Sequence, residues 1–247
     1  MLAVTQLSIV PMPVSWPKDG ERPDVAGWYP LVGLAVALPA WGLVVLGHTL
    51  SSPLLFSALA VAATALLTRG LHWDGLADVA DAWNINGAER RHEVMKDSAT
   101  GAFGALAICL GVVLQVVAIS SLADKGASTV VLVAAIAGRA AATFSAWLGA
   151  PARTDGLGAA VSRRPGFSGA LGFVLGMGAL VGLVALAVAA RHGMLLALAV
   201  GAGLAAALVV PHVISGRFGG TSGDTMGASI VVVETTVLVF SAIVVAL

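Results

Sequence analysis

Apolar runs about twenty residues long recur along this chain between short polar segments, and a membrane-spanning helix needs roughly that many. The runs predict spanning helices over residues 28–47, 51–68, 101–121, 128–148, 169–190, 194–213 and 227–247. The expected fold class is therefore all-α, a polytopic membrane bundle of about seven helices joined by polar loops. The second run is the weakest of the seven, because it is short and Pro53 opens it.

Alternating spans place residues 1–27, 69–100, 149–168 and 214–226 on one side. Ten of the thirteen Lys and Arg residues and eleven of the thirteen Asp and Glu residues fall there. The positive-inside rule puts that side in the cytoplasm, with the amino terminus in and the carboxyl terminus out. A transporter would be expected to string polar groups along a path through the bilayer. Polar groups gathered on one side favour chemistry on a charged, cytosolic substrate.

Composition agrees with the pattern: 58% of the 247 residues are hydrophobic and 11% charged, against about 25% charged in soluble domains. The formal net charge is zero, so nucleic acid is not an expected partner, whereas the lipid bilayer is. Cys109 is the only cysteine, which excludes an internal disulfide and suggests a thiol packed within the third span. Met1 to Val14 has no Lys or Arg and is broken by Pro11 and Pro13. It reads as an interfacial segment rather than a signal peptide, with Trp16, Trp28 and Tyr29 as headgroup-level anchors. Spans rich in Ala and Gly suit close helix packing, and a single membrane domain over 1–247 is the simplest organisation.

The segment 69–100 is too long for a mere connector, and its core runs from His72 to Asp81. At about 100° per residue, Asp74, Asp78 and Asp81 fall near 0°, 40° and −20° of one another on a helix and share a face. Like charges so placed repel unless a cation lies among them. Carboxylate and water ligands suit Mg²⁺ or Mn²⁺, whereas zinc would want more His or Cys. Such a metal takes its other ligands from substrate phosphates, which points to phosphoryl transfer, and Lys96 is the candidate clamp for phosphate oxygens. Gly75 would allow a phosphate close to the backbone, and Asn86-Gly87 marks a turn into a second polar helix. His72 lies about 200° from Asp74, away from the carboxylate face.

A glycine-rich stretch, Arg217 to Ala228, enters the last span on the same side. Its Gly219, Gly220, Gly223 and Asp224 could cradle a phosphate or add a metal ligand. Arg139 and Glu234 are charges left inside spans, which makes them functional candidates. They lie roughly 14 and 10 Å from the same end of the bundle at 1.5 Å per residue, so they could pair with each other, or Arg139 could reach a substrate phosphate.

These motifs together resemble the cobalamin synthase family, the adenosylcobinamide-GDP ribazoletransferases. The resemblance is carried by the HxDGxxDxxD block from His72 to Asp81, by Met95-Lys96-Asp97-Ser98 with Gly101-Ala102-Phe103-Gly104, and by the GGxxGDxxGA block from Gly219 to Ala228. The loop from Arg153 to Gly158 is similar too. Family members often carry an Arg ahead of an amino-terminal Pro-x-Pro, where this chain has Ile9-Val10-Pro11-Met12-Pro13.

The resemblance implies an inner-membrane, Mg²⁺-dependent enzyme. Its substrates would be adenosylcobinamide-GDP and α-ribazole or α-ribazole 5′-phosphate, its products adenosylcobalamin or its 5′-phosphate and GMP, and a homo-oligomer would be compatible. Asp74, Asp78, Asp81 and Asp224 would bind metal, with Asp74, Asp78, Lys96 and Asp97 in the catalytic set and Asp97 a further ligand or base. His72, Arg139, Arg153, Arg217, Gly219, Gly220 and Gly223 would contact substrate. The competing readings are a CDP-alcohol phosphatidyltransferase-like enzyme, whose Asp spacing differs after the Asp-Gly pair, and a transporter of an anionic or corrinoid solute.

Overall fold

A computed structural model describes residues 1–10, 13, 23–95, 99–154, 156–162, 164–187 and 193–247. In chain order the helices are α1 (Leu2–Leu7), α2 (Tyr29–Thr49, entered through a 3-10 turn at Ala26–Trp28), α3 (Pro53–Leu67), α4 (Leu71–Ala82), α5 (Ala88–Val94), α6 (Ala102–Asp124), α7 (Val130–Leu148), α8 (Gly156–Val161), α9 (Phe167–Ala187), α10 (Gly193–Arg217) and α11 (Gly223–Ala246). Among the described residues there is no strand, only a lone bridge between Pro151 and Thr221. The fold class is the expected one.

Six helices are long and apolar enough to cross a membrane, namely α2, α6, α7, α9, α10 and α11. The second predicted span is α3, which has fifteen residues and meets α4 at a bend of 89°. The bend is made by Arg69 and Gly70, at φ 55° and 69°. Left-handed backbone cannot continue a right-handed helix, so the chain turns and α4 runs alongside α6, with Trp73 over Gly111 and Asp81 at Gly101 where α6 begins. The count is six spans, or seven if α3 and α4 form one broken span.

The Ala-rich α7 is the central post, and Ala134, Ala137, Ala140 and Ala141 along it are all buried. Small side chains let α2, α9, α10 and α11 pack around it. Within a bilayer that close approach, and not a hydrophobic drive, supplies the packing energy. Gly138 illustrates it: an added Cβ would lie 2.6 Å from Cγ of Glu234 on α11.

The four polar segments meet at one end. Ile9 N donates to Leu67 O at 2.8 Å, Gly169 N to Asp24 Oδ2 at 2.6 Å, and Ala152 N to Thr221 O at 2.9 Å. The short turns after α2 and α6 lie at the opposite end.

Two expectations change. Tyr29 is fully buried and its hydroxyl donates to Gln6 Oε1 at 2.8 Å, so it fastens α1 to α2 instead of sitting at the headgroups. Cys109 is exposed on the outer face of α6, because that helix packs only one flank. Trp16 lies outside the described residues.

Candidate active site

The acidic motif forms α4, and its two faces differ as the helical angles require. Asp74 is exposed and Asp78 and Asp81 half-buried, while His72, Gly75, Ala77 and Val79 are buried against the bundle. Glycines bring α4 onto α11. A Cβ on Gly75 would lie 2.7 Å from Asp224 O, and one on Gly227 would lie 3.2 Å from the Cα of His72. That contact corrects the expected role of Gly75: the backbone that approaches it is α11, not a phosphate. Trp73 seats α4 on α6 in the same way, over Gly111.

The close crossing sets Asp224, in the first turn of α11, beside the α4 carboxylates. Burial first, then the charges of Asp224, Asp74 and Asp81, push the Asp78 carboxyl up to about 7. A carboxylate so disfavoured among three others calls for positive charge. Arg153, exposed at the surface, supplies some of it from within electrostatic reach of Asp224. The start of α11 is itself favourable to an anion, and it is fixed by Ser222, whose Oγ accepts from Thr225 N at 3.2 Å while Ser222 N donates to Thr225 Oγ1 at 2.8 Å.

Among the described residues no three Asp, Glu, His or Cys side chains are drawn together closely enough to hold a metal ion by themselves. The donors that face one another are all oxygens on an open surface. This fits a cation that keeps water and substrate oxygens in its shell, as Mg²⁺ does, and does not fit a closed structural site.

Asp81 has a second task. Its Oδ2 accepts from Gly101 N at 2.7 Å and its Oδ1 from Gly104 N at 2.8 Å, so it caps the start of α6 from another helix. Asp24 does the same for α9 through Gly169. Neither cap is visible in sequence, since the partners are 20 and 145 residues away.

Other candidates sit elsewhere. His72 and Arg139 are buried, with His72 Nδ1 3.4 Å from Arg139 Nη2, and Arg139 is ion-paired with Glu234. Burial, aided by the Arg139 charge, holds the His72 imidazole neutral. These three residues fasten α4, α7 and α11 behind the acidic face and do not open onto it. The Arg139–Glu234 pairing anticipated from depth is present.

Arg217 is turned to the end of α4, donating from Nε and Nη2 to Trp83 O at 3.0 and 2.8 Å with its guanidinium 5.0 Å from the Trp83 ring. A cation at a helix C-terminus meets its negative end. Arg91, which sequence reasoning passed over, is buried, donates to Arg217 O and lies over Phe218.

Gly219 and Gly220 turn the chain at φ 74° and 143°, and Gly220 packs on the 150–152 segment, where a Cβ would meet Ala150 O at 2.6 Å. Both line a cavity of about 310 Å³ between the ends of α7 and α10, with His212 and Ser215. Gly223 is open beside Asp224, its nearest neighbour being Leu157 at 3.8 Å from an added Cβ. Lys96 and Asp97 lie outside the described residues.

Fold and site together define a polytopic helical membrane enzyme whose acidic face lies along α4, beside the start of α11. Comparison with known proteins narrows this. Residues 1–242 match the family described as cobalamin-5-phosphate synthase, and the chain belongs to that family. It is 37% identical to the adenosylcobinamide-GDP ribazoletransferase of Frankia casuarinae, over 97% of this chain and 92% of that one. It is 34% identical to proteins of the same name from Sinorhizobium medicae, over 96% and 92% of the two chains, and from Pseudomonas entomophila, over 96% of each. No solved structure matches.

Proposed function

We propose that this chain is a Mg²⁺-dependent transferase that joins adenosylcobinamide-GDP to α-ribazole or its 5′-phosphate, with its acidic end in the cytoplasm of an inner-membrane protein. The observation that carries the reading is the meeting of Asp224 with the Asp74 and Asp78 face of α4, in a family whose relatives bear that substrate in their name. Against the competing phosphatidyltransferase and transporter readings stands the match of residues 1–242 to a synthase family whose relatives are named as ribazoletransferases.

In the reaction a ribose hydroxyl oxygen of the ribazole bonds to the phosphorus on the corrinoid arm, the bond from that phosphorus to the GMP oxygen breaks, and the hydroxyl proton leaves to a carboxylate. Bound Mg²⁺ would supply charge neutralisation at the diphosphate. Asp74, Asp78 and Asp224 would hold it, and Asp81 would keep the face in register by anchoring α4 to α6. Arg153 would meet the phosphate oxygens, as would Lys96, with Asp97 a further ligand or base. Gly223, at the open start of α11, would let a phosphate approach backbone N–H groups, and the cavity edged by Gly219 and Gly220 would take part of a substrate.

The test is direct. Purified protein in detergent is given adenosylcobinamide-GDP, α-ribazole and Mg²⁺, and GMP and cobalamin are quantified. Product that depends on both substrates and disappears with chelator supports the reading, and folded protein that makes none defeats it.

A further inference from the structure

Helices α6 and α10 both pack on α11, and between them lies an open trough floored by α11 and the underside of α4. Its upper part encloses about 540 Å³ and is bounded by Phe103, Leu110, Val209 and Val213 among others. A second hollow of about 360 Å³ continues it down to Phe240, the two sharing Leu76, Ala107, Leu110 and Val232. The lining is almost wholly apolar. On α4 it uses Leu76, Ala80 and Trp83, which at about 100° per residue stand opposite Asp74 and Asp78. The trough is thus screened from the acidic face and opens sideways.

Its length and its head select an occupant. From Ala228 to Phe240 along α11 the trough spans roughly 18 Å at 1.5 Å per residue, close to one leaflet of a hydrocarbon core about 30 Å thick. A helix of a second copy would need the full thickness. At the upper end stand Trp83, a residue type that favours the headgroup level, and Arg217, one turn beyond Val213 on α10 and stacked on the Trp83 ring. Arg217 is exposed and spends Nε and Nη2 on Trp83 O, and its charge remains available to an anion at that end of the trough.

We propose that this trough binds one phospholipid of the leaflet at the acidic end, with an acyl chain between α6 and α10 and an anionic headgroup phosphate at Arg217. The site is concave and cationic at its head, unlike the convex ridges of α6 such as Val113 that any lipid would wet.

Native mass spectrometry of the full chain released from nanodiscs tests this, using phosphatidylglycerol and phosphatidylcholine of identical chains in competition. The expected result is one retained lipid with phosphatidylglycerol favoured about fivefold, the scale of one arginine near a membrane phosphate. Ala107→Trp, which fills the trough, should abolish retention, whereas Val113→Trp should leave it unchanged. Arg217→Gln should lose the headgroup preference, and Ala107→Trp keeps the test independent of any folding defect from uncapping α4. Equal retention of the two lipids, retention undiminished in Ala107→Trp, or a dimer mass in place of lipid overturns the proposal.

Discussion

Gly75 and Asp224 touch backbone to backbone: a methyl group on Gly75 would stand 2.7 Å from the carbonyl oxygen of Asp224 and 3.0 Å from its Cα. No flexible side chain lies in that gap to give way. Gly75→Ala should therefore push α4 from α11, costing about 1–3 kcal/mol as overpacking does and lowering GMP formation by more than its loss of stability explains. Gly42, with open space around it in α2, is the control. Gly42→Ala should be neutral or slightly stabilising, since Ala exceeds Gly in a helix interior by roughly 0.5–1 kcal/mol. Thermal midpoints and GMP assays on the two variants separate these outcomes.

The Asp78 carboxyl gives a pH signature. Its folded pKa of about 7 lies above the ordinary value of 3.8, so ionising it in the folded state is unfavourable, and the group weakens the metal-free fold as pH rises through that interval. Asp78→Asn should raise the thermal midpoint of chelator-treated protein at pH 8 by the equivalent of about 1–2 kcal/mol, the shift being discounted because the group is half-exposed. The gain should shrink on acidification and be lost below about pH 3, where the carboxyl is protonated in both states. A gain that grows on acidification would refute the assignment.

Asp74→Asn and Asp224→Asn should each lower the rate of GMP release at least a hundredfold, the usual scale for removing a group that stabilises charge in a transition state. Asp74 is exposed and Asp224 is partly buried with its carboxyl pushed up by that burial, so neither change should lower the thermal midpoint appreciably. Near-normal turnover in either variant would remove that residue from the site.

Arg139→Ala strips Glu234 of its partner inside the bundle, and breaking such a pair from one side costs about 3 kcal/mol. Combining Arg139→Met with Glu234→Leu should recover at least half of the loss, because no charge is then stranded. A double-mutant cycle on thermal stability measures the coupling, and purely additive losses would show that the two residues do not depend on each other.

Much of this arrangement was legible in the chain because it follows from local periodicity. Asp74, Asp78 and Asp81 share a face whatever α4 packs on, and His72 had to point inward once they pointed out. Charge distribution likewise foretold that the segments around Arg69, Arg153 and Arg217 would meet. What stayed hidden depends on tertiary partners. Gly75 faces α11 rather than a phosphate, Asp81 holds amides that begin another helix, and Arg217 closes the end of α4. A residue type announces which contacts it can make, but not which neighbour reaches it first.

The shortness of α3 has its own consequence. Fifteen residues rise roughly 22 Å, several ångströms less than a hydrocarbon core about 30 Å thick, and α4 makes up the shortfall, starting with Trp73 beside Gly111 inside α6 and ending with Asp81 at Gly101. The carboxylates of α4 are thus strung along the depth of the bundle, Asp81 level with the start of α6 and Asp74 about two turns further in. A polar group meeting Asp74 must therefore reach about 10 Å deeper into the bundle than one meeting Asp81.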